Sequence, residues 1–214
     1  MTPRQQTDQR TITVAVTGAS GAVFAQKILT VLDADRRVRR VHLVVSNGGI
    51  MLLKHELDIA ANERKKLPSL IVGGKGRKIE LLDNQDVGAS IASGSYPVHG
   101  MVIMPCSMGT LGAIAHGAAE TLIQRAADVT LKERRPLVLA IRDTPFSRIH
   151  LENMLRCQQA GAMIFPIIPS FYHRPKKIDD LVSQYVFRVL AHLGLPQERQ
   201  YRWKGMSQAD KLKS

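Results

Sequence analysis

Short runs of β-branched and apolar residues alternate with longer helical patterns along this chain, and this alternation restricts its fold more than any other feature. Residues 11–17, TITVAVT, are typical of a strand that is buried on both faces. Similar strands are predicted at 38–46, 78–82, 101–104, 137–141 and 162–167. The pattern predicts an α/β fold of three layers, in which helices cover both faces of a mostly parallel sheet.

Helical patterns fill the intervals between the predicted strands. They occupy residues 22–32, the segment from 50 to 56, 107–116, about 119–134, 147–160 and 178–193, and Gly161 is expected just after a helix end. Residues 60–78 are rich in Lys, Arg and Gly and are interpreted as a helix end with an exposed loop, and Pro105 is expected to stop its strand. We expect one domain at 11–195, a polar tail at 1–10 and a basic tail at 196–214.

The composition excludes several classes of protein. A chain of 214 residues with 44% hydrophobic content buries a core without disulfide bonds and is not disordered. No apolar run reaches the roughly 18 residues that cross a bilayer, and the first ten residues lack the apolar segment of a secretory signal. Cys106 and Cys157 are too few for a disulfide framework, which favours the reducing cytoplasm. The seven histidines show no ligand spacing, so we predict no metal.

A formal net charge of +12 raises the question of an anionic partner. About a third of the excess lies in the two predicted tails, and most of the remainder forms short clusters that we expect to be solvated. Because only 5% of the residues are aromatic, too few for a stacking platform along the basic stretches, we expect no nucleic-acid partner. A small anionic substrate or an acidic membrane surface would also account for the charge.

The loops that follow the strands carry the candidate functional residues, because parallel sheets bind ligands at the carboxyl ends of their strands. Small residues there let a ligand approach the backbone, and a helix N-terminus offers N–H groups to an anion. Each loop alone is also explained as a tight turn or a helix cap. Together they predict a metal-free site for a phosphate-bearing cofactor, formed by Gly18, Ala19, Ser20, Ser46, Cys106, Ser107, Met108, Gly109, Arg142 and Asp143.

Several blocks of the chain resemble the signature blocks of the UbiX-type flavin prenyltransferases. They are TGASGA at 17–22, SGSY at 93–96, MVIMPCSMGTLGAIAHG at 101–117, RAADVTLKERRPLVLAIRDTPFS at 125–147, HLENML at 150–155 and FYHRP at 171–175. The blocks occur in family order between residues 12 and 195. The resemblance implies a Rossmann-like or flavodoxin-like fold and a homo-oligomer, often a dodecamer, with active sites shared between subunits.

The resemblance also implies an activity. Such an enzyme transfers a dimethylallyl group from dimethylallyl phosphate to reduced FMN and forms prenylated FMN, which has an added ring across the flavin N5 and C6 atoms. The product serves a partner decarboxylase of the UbiD type. Position by position, FMN would contact Gly18, Ala19, Ser20, Ser46, Arg142 and the loop from Cys106 through Ser107 and Met108 to Gly109.

The same resemblance implies which residues bind the prenyl donor and which are catalytic. Tyr172 and Arg188 would bind dimethylallyl phosphate, and Lys132 would reach in from a neighbouring subunit. Positive groups can take the charge of the leaving phosphate, and Asp143 is the acidic residue placed to act on the proton at flavin C6. The candidate catalytic residues are Ser20, Lys132, Asp143, Tyr172 and Arg188.

Two positions depart from the family pattern. Asp143 stands where Glu is expected, so its carboxylate is one methylene shorter. Some relatives carry a Trp before SGSY whose ring could stabilise an allylic cation, whereas this chain has Val87 there and its one Trp, Trp203, in the C-terminal tail. These departures predict slower or altered prenyl transfer. The alternative functions are a flavin-dependent decarboxylase that acts by itself and a non-catalytic protein that binds FMN or nucleic acid.

Overall fold

The chain forms one sheet of six strands, all of them paired in parallel. The strands are β1 (Arg10–Val16), β2 (Val38–Val45), β3 (Ile79–Leu82), β4 (Gly100–Cys106), β5 (Leu137–Ile141) and β6 (Met163–Ile164). Their order across the sheet is β3-β2-β1-β4-β5-β6, so the chain starts in the middle and builds outward in both directions. This order opens a crevice between the loops after β1 and β4, where such folds bind ligands.

In the described residues, seven α-helices cover the two faces of the sheet, as the alternation predicts. They are α1 (Ala22–Ala34), α2 (Asn47–Leu57), α3 (Leu67–Val72), α4 (Met108–Ala115), α5 (Leu122–Lys132), α6 (Arg148–Gln159) and α7 (Ile178–His192). One hydrophobic core joins the sheet to α1, α2, α3 and α7, and a second core joins it to α4, α5 and α6. The predicted three-layer α/β/α fold is therefore confirmed. The computed structural model describes residues 9–59, 61–203 and 205, with the backbone alone at 61–63.

Pro105 does not stop its strand, which corrects the sequence prediction. The pairing of β4 with β5 shifts register between Ile103 and Cys106 and then resumes, so β4 ends at Cys106. A proline has no N–H to donate, but its carbonyl still accepts. The carbonyl of Pro105 accepts from the backbone N–H of Thr17 at 3.2 Å and from the hydroxyl of Thr17 at 2.8 Å.

The segment at 60–78 is more helical than predicted. A short 3-10 helix at Ala61–Lys66 leads directly into α3, where Leu67 and Ile71 are buried in the core. Pro68 stands in the first turn, where a helix tolerates proline. Leu67 and Ile71 lie four residues apart, the spacing of one helix face, but the surrounding basic residues and glycines made this pattern hard to recognise in the sequence.

Two further boundaries differ from the predictions. The helix expected from about 119 begins at Leu122, because Thr121 accepts from the backbone N–H of Gln124 and forms a capping box with it. The last strand covers Met163–Ile164 and not 162–167, although Ile167 still donates its N–H to the carbonyl of Ile141 at 2.9 Å. Gly161 follows the end of α6 with φ 103°, as expected for a residue after a helix end.

The starts of the strands form an amino edge at which helices end and basic side chains collect. Arg10 donates to the carbonyl of Leu193 at 2.8 Å, and Lys78 donates to the carbonyl of Asp35 at 2.6 Å. Arg37 bonds the Asp35 carboxylate and holds the pKa of that group at about 2. Part of the basic excess that we expected to be solvated is therefore bonded to helix ends.

The three-segment division of the chain stays a prediction. Residues 1–8, 204 and 206–214, which make up most of the two predicted tails, lie outside the described residues. Arg10 already belongs to β1, and Leu195 is fully buried. In the part of the chain that the structure describes, no helix is long and apolar enough to cross a membrane.

Gly49 gives a direct test of the packing between β1 and α2. A Cβ atom at this position would lie 2.4 Å from the carbonyl oxygen of Val16 and 2.9 Å from a methyl group of Val45. We expect Gly49→Ala to destabilise the protein by about 2 kcal/mol or more, a fall of roughly 5 °C in Tm. The control is Gly74→Ala, where the nearest atom would be 3.9 Å away. Equal Tm values for the two variants in thermal unfolding would contradict this packing.

Candidate active site

The carboxyl ends of β1, β2, β4 and β5 meet in one crevice, here named the carboxyl-edge crevice. A Cβ atom on Gly18 would lie 3.1 Å from the Cα atom of Gly48, so the loops after β1 and β2 touch through their backbones. Ser107 donates its backbone N–H to Thr17 Oγ1 at 2.8 Å, and this bond joins the loop after β4 to the loop after β1. The crevice therefore gathers the loops that carry Gly18, Ala19, Ser20, Ser46, Cys106, Ser107, Met108, Gly109, Arg142 and Asp143.

Arg142 ties the loop after β5 to the loop after β1. Its Nε donates to the carbonyl of Ser20 at 3.3 Å, and its backbone N–H donates to the carbonyl of Cys106 at 3.3 Å. The guanidinium is half-buried and keeps donors for a further partner. It is therefore placed to hold an anionic group in the crevice.

Two serines of the crevice act as helix caps. Ser46 Oγ accepts from the backbone N–H of Gly49 at 3.0 Å, and Ser107 Oγ accepts from that of Thr110 at 3.3 Å. No hydrogen bond among the described residues uses the N–H groups of Met108 and Gly109, and a Cβ atom on Gly109 would meet no atom within 4 Å. The start of α4 thus offers open donors to an anion.

Cys106 can serve the crevice through its backbone alone. Its side chain is fully buried in the second core, and burial raises the pKa of the thiol far above its ordinary value. The group therefore stays protonated at neutral pH, and its Sγ donates to the carbonyl of Ser107 at 3.7 Å. This agrees with its interpretation as a small lining residue and not a nucleophile.

Glu56, at the end of α2, belongs to the site although the sequence patterns did not single it out. Its carboxylate accepts from the backbone N–H groups of Gly21 at 3.0 Å and Ala22 at 2.8 Å. Partial burial opposes ionisation, but the bonds from Ser20, Ala22 and Gly21 and the charge of Arg142 outweigh it, so the pKa of Glu56 is lowered. The N-terminus of α1, predicted to receive an external anion, is capped by a carboxylate of the chain itself.

The carboxylate of Asp143 is turned toward its own backbone. Oδ1 accepts the N–H of Thr144 at 2.8 Å, and the side chain is half-buried. One oxygen is thus engaged in a local turn, which leaves Oδ2 for a proton. The shorter side chain and this bond both limit how far the carboxylate extends into the crevice.

Lys132 and Arg188 do not join the crevice of their own subunit. Lys132 ends α5 at the amino edge of the sheet, where its ammonium lies 3.4 Å from Glu133 Oε1. The guanidinium of Arg188 lies over the ring of Phe165, 5.6 Å from its centroid. Within the described ranges, no hydrogen bond or ion pair links either side chain to Arg142, Ser20 or the loop after β4.

Tyr172 lies in an exposed loop after β6 and has an aromatic neighbour that the sequence did not predict. Its ring centroid is 5.6 Å from that of Trp203, and the two side chains are 73% and 58% exposed. The Trp that was assigned to the tail thus lies against a candidate donor-binding residue. Val87, at the position where some relatives carry a Trp, is 47% exposed.

The described residues contain no cluster of three or more His, Cys, Asp or Glu side chains that could hold a metal ion. The charged groups of the crevice are instead one guanidinium, Arg142, and two carboxylates, Glu56 and Asp143. This set suits a phosphate ester and a group that exchanges protons.

Comparison with known proteins gives consistent matches over nearly the whole chain. Residues 1–189 match the sequence profile of the Flavoprotein family. The Flavin prenyltransferase UbiX of Pseudomonas aeruginosa is 44% identical over 90% of this chain and 93% of its own length. The crystal structure of AnUbiX (PadA1) in complex with FMN and dimethylallyl pyrophosphate has a TM-score of 0.83 and 41% identity over 93% of this chain and all of that one.

A third match concerns assembly. The dodecameric FMN-dependent UbiX-like decarboxylase from Escherichia coli O157:H7 has a TM-score of 0.81 and 38% identity, over 91% of this chain and all of that one. Because the match covers 91% of this chain, the similarity extends to nearly the whole fold and not to one motif.

Glu56 makes the stability of the site dependent on pH. A carboxylate with a lowered pKa stabilises the folded state above its ordinary value of 4.5, and this contribution is lost as the pH falls through the folded-state pKa. At pH 7 we expect Glu56→Gln to be less stable than the wild type by about 1 kcal/mol, the usual effect of a lost helix cap.

The measurement is Tm against pH for both proteins. The difference in Tm is expected to be constant near neutrality and to shrink steadily below pH 4.5. Glu152→Gln, on α6 in an exposed pair with Arg148, is the matched control. A difference that stays unchanged down to pH 3 would contradict a carboxylate cap on α1.

Proposed function

For this chain, which belongs to the Flavoprotein family and within it to the UbiX flavin prenyltransferases, we propose transfer of a dimethylallyl group from dimethylallyl phosphate to reduced FMN. The C–O bond of the donor breaks, phosphate leaves, and the product is prenylated FMN with a ring across N5 and C6. The observation that carries the proposal is the identity of 44% over 90% of the chain. Every loop of the carboxyl-edge crevice lies within residues 1–189, which match the Flavoprotein profile.

The carboxyl-edge crevice fits FMN. Gly18 and Gly48 line an open pocket together with Met51 and Leu52, which can take a flat ring. The open N–H groups of Met108 and Gly109 with Arg142 suit a phosphate. Reduced FMN supplies the nucleophilic N5 and C6 atoms. The residues proposed to hold it are Gly18, Ala19, Ser20, Ser46, Ser107, Met108, Gly109 and Arg142, together with the backbone of Cys106.

Phosphate departure requires positive charge and exclusion of water. Lys132, Arg188 and the hydroxyl of Tyr172 are proposed to bind the donor phosphate and to stabilise the charge that develops on it. The AnUbiX structure holds dimethylallyl pyrophosphate, so a phosphorylated five-carbon donor is bound by a relative. Aromatic rings at Tyr172 and Trp203 provide π faces beside the donor.

Lys132 is proposed to come from a neighbouring subunit. Lys132 lies at the amino edge, and β5, with five residues, separates it from Arg142 by about 16 Å of strand. A lysine side chain does not cross that distance. A homo-oligomer, proposed here as a dodecamer like the relative from E. coli, would place the Lys132 of one subunit at the crevice of the next.

Closure of the new ring joins flavin C6 to the tertiary carbon of the prenyl group. The neighbouring alkene carbon gains a proton, and flavin C6 loses one. Asp143 is proposed to accept it through Oδ2, since Oδ1 is bonded to the N–H of Thr144. Ser20 is proposed to position the reacting groups, because its carbonyl bonds Arg142 and its side chain bonds Glu56. The product is proposed to pass to a UbiD-type decarboxylase. The two buried, unpaired cysteines support the cytoplasm as the location.

An anaerobic assay tests the activity. Wild-type protein with dimethylallyl phosphate and reduced FMN is expected to give a flavin heavier by one isoprene unit in mass spectrometry. Because the E. coli relative is described as a decarboxylase, aromatic acids are tested in parallel for release of CO2 without a partner protein. A flavin of unchanged mass would overturn the proposal, and CO2 release would favour the decarboxylase instead.

Asp143 variants test the proton acceptor in the same assay. Asp143→Glu restores the longer reach and is expected to be at least as active as the wild type, whereas Asp143→Ala is expected to lose about 10²-fold in turnover. The control is Asp128→Ala, which removes an exposed carboxylate paired with Arg125. Equal turnover of the Glu, Asp and Ala forms at 143 would remove this residue from the mechanism.

Mixed oligomers test the shared site. Lys132→Ala and Arg142→Ala are each expected to be inactive, but their co-assembly at equal amounts is expected to restore about a quarter of the activity, because intact sites then form across subunits. The control pair, Arg142→Ala with Asp143→Ala, alters two residues of one crevice and is expected to restore none. No recovery in the first pair would contradict a site completed by a neighbour.

A further inference from the structure

After α7 the chain continues along that helix as residues 196–203, here named the C-terminal strap. Its start is fixed at the amino edge, where Arg37 donates to the carbonyl of Pro196 at 3.1 Å and Gln197 Nε2 donates to Asp35 Oδ2 at 3.2 Å. A turn follows, in which the N–H of Gln200 bonds to the carbonyl of Gln197 at 3.1 Å.

One side chain of α7 holds the second half of the C-terminal strap. Gln184 Nε2 donates to the carbonyl of Arg199 at 2.9 Å, and Gln184 Oε1 accepts the N–H of Tyr201 at 2.7 Å. The amide therefore bonds a donor and an acceptor two residues apart, as a neighbouring strand would. Within the described residues, no other side chain hydrogen-bonds the backbone of 199–203.

The clamped part of the strap ends on the loop that carries Tyr172. The ring of Tyr201 lies 6.2 Å from that of His173, and the ring of Trp203 lies 5.6 Å from that of Tyr172. One ring contact is made by Tyr201, whose N–H Gln184 holds, and the other by Trp203, two residues further along the strap. Because the strap has no regular secondary structure, its order depends on such anchors.

We propose that Gln184 is a positioning residue, which clamps the C-terminal strap so that Trp203 forms a wall beside Tyr172. The inference rests on the proposed function, since Tyr172 is there assigned to the prenyl donor. The wall covers the donor side of the site and leaves the FMN loops untouched. Loss of the clamp is therefore expected to weaken donor binding and not FMN binding.

The single tryptophan of the chain makes the strap directly observable, because all tryptophan fluorescence comes from Trp203. Gln184→Met keeps the length of the side chain and removes both hydrogen bonds, and Gln184→Glu keeps only the acceptor for Tyr201. The control, Gln158→Met, makes the same change on the exposed face of α6, where the side chain has no hydrogen bond among the described residues. All are measured as FMN-loaded full-length proteins.

For Gln184→Met we expect red-shifted emission and about twofold stronger quenching by acrylamide, with an intermediate effect in Gln184→Glu and none in Gln158→Met. The KM for dimethylallyl phosphate is expected to rise about tenfold, the order of effect of lost hydrogen bonds. The Kd for FMN and the Tm are expected to stay at wild-type values, which separates positioning from a general loss of structure.

Two results would overturn the inference. Wild-type fluorescence in Gln184→Met would show that Gln184 does not hold the strap. A shifted fluorescence with an unchanged KM, together with no protection of wild-type Trp203 from acrylamide by dimethylallyl phosphate, would show that the strap is not part of the donor site. Inorganic phosphate serves as the comparison ligand. If the wild type does not prenylate FMN, the proposed function fails, whereas fluorescence and protection still decide the role of Gln184.

Discussion

One buried hydroxyl group joins the two halves of the sheet at the point where the strand order reverses. Thr17 Oγ1 donates to the carbonyl of Pro105 and accepts from the N–H of Ser107, each at 2.8 Å. These two bonds, together with the bond from the backbone N–H of Thr17 to the same Pro105 carbonyl, fix the ends of β1 and β4 to each other. The glycine loop after β1 and the N-terminus of α4 are the two walls of the carboxyl-edge crevice, so its width depends on this group. Thr17, a polar residue at the end of a buried strand, thus sets the distance between the two walls of the crevice.

Most of the fold follows from local patterns, because parallel strands buried on both faces leave continuous apolar runs in the sequence. β1, β2 and β5 are examples, with nearly every residue buried from Thr11, Val41 and Leu137 onward. The patterns failed where a tertiary contact decides the structure. Pro105 stays in β4 because Thr17 supplies donors to its carbonyl, and α3 forms because two apolar residues fit under α1 within a basic segment.

The candidate site was predictable as a set of loops but not as a set of distances. Strand ends and the family blocks place Ser20, Ser46, Ser107 and Arg142 together, because topology alone brings those loops to one edge. Glu56 lies 35 residues from its partner Gly21. Its one local signal was an acidic residue in the last turn of a helix, where the dipole disfavours it. The position of Trp203 depends on the path of the C-terminal strap along α7. No periodic pattern in the sequence predicts that path, because the strap has no regular secondary structure.

The amino edge changes what the formal charge of the chain means. A net charge of +12 counts side chains, but every helix that ends at this edge also presents about half a negative charge on its free carbonyls. Arg10 and Lys78 are bonded to such carbonyls, and Arg37 to a carboxylate. The positive potential close to the amino edge is therefore weaker than the count suggests. The fold sorts charge along its own axis, with cations at helix ends on one edge of the sheet and anion sites at helix starts on the other.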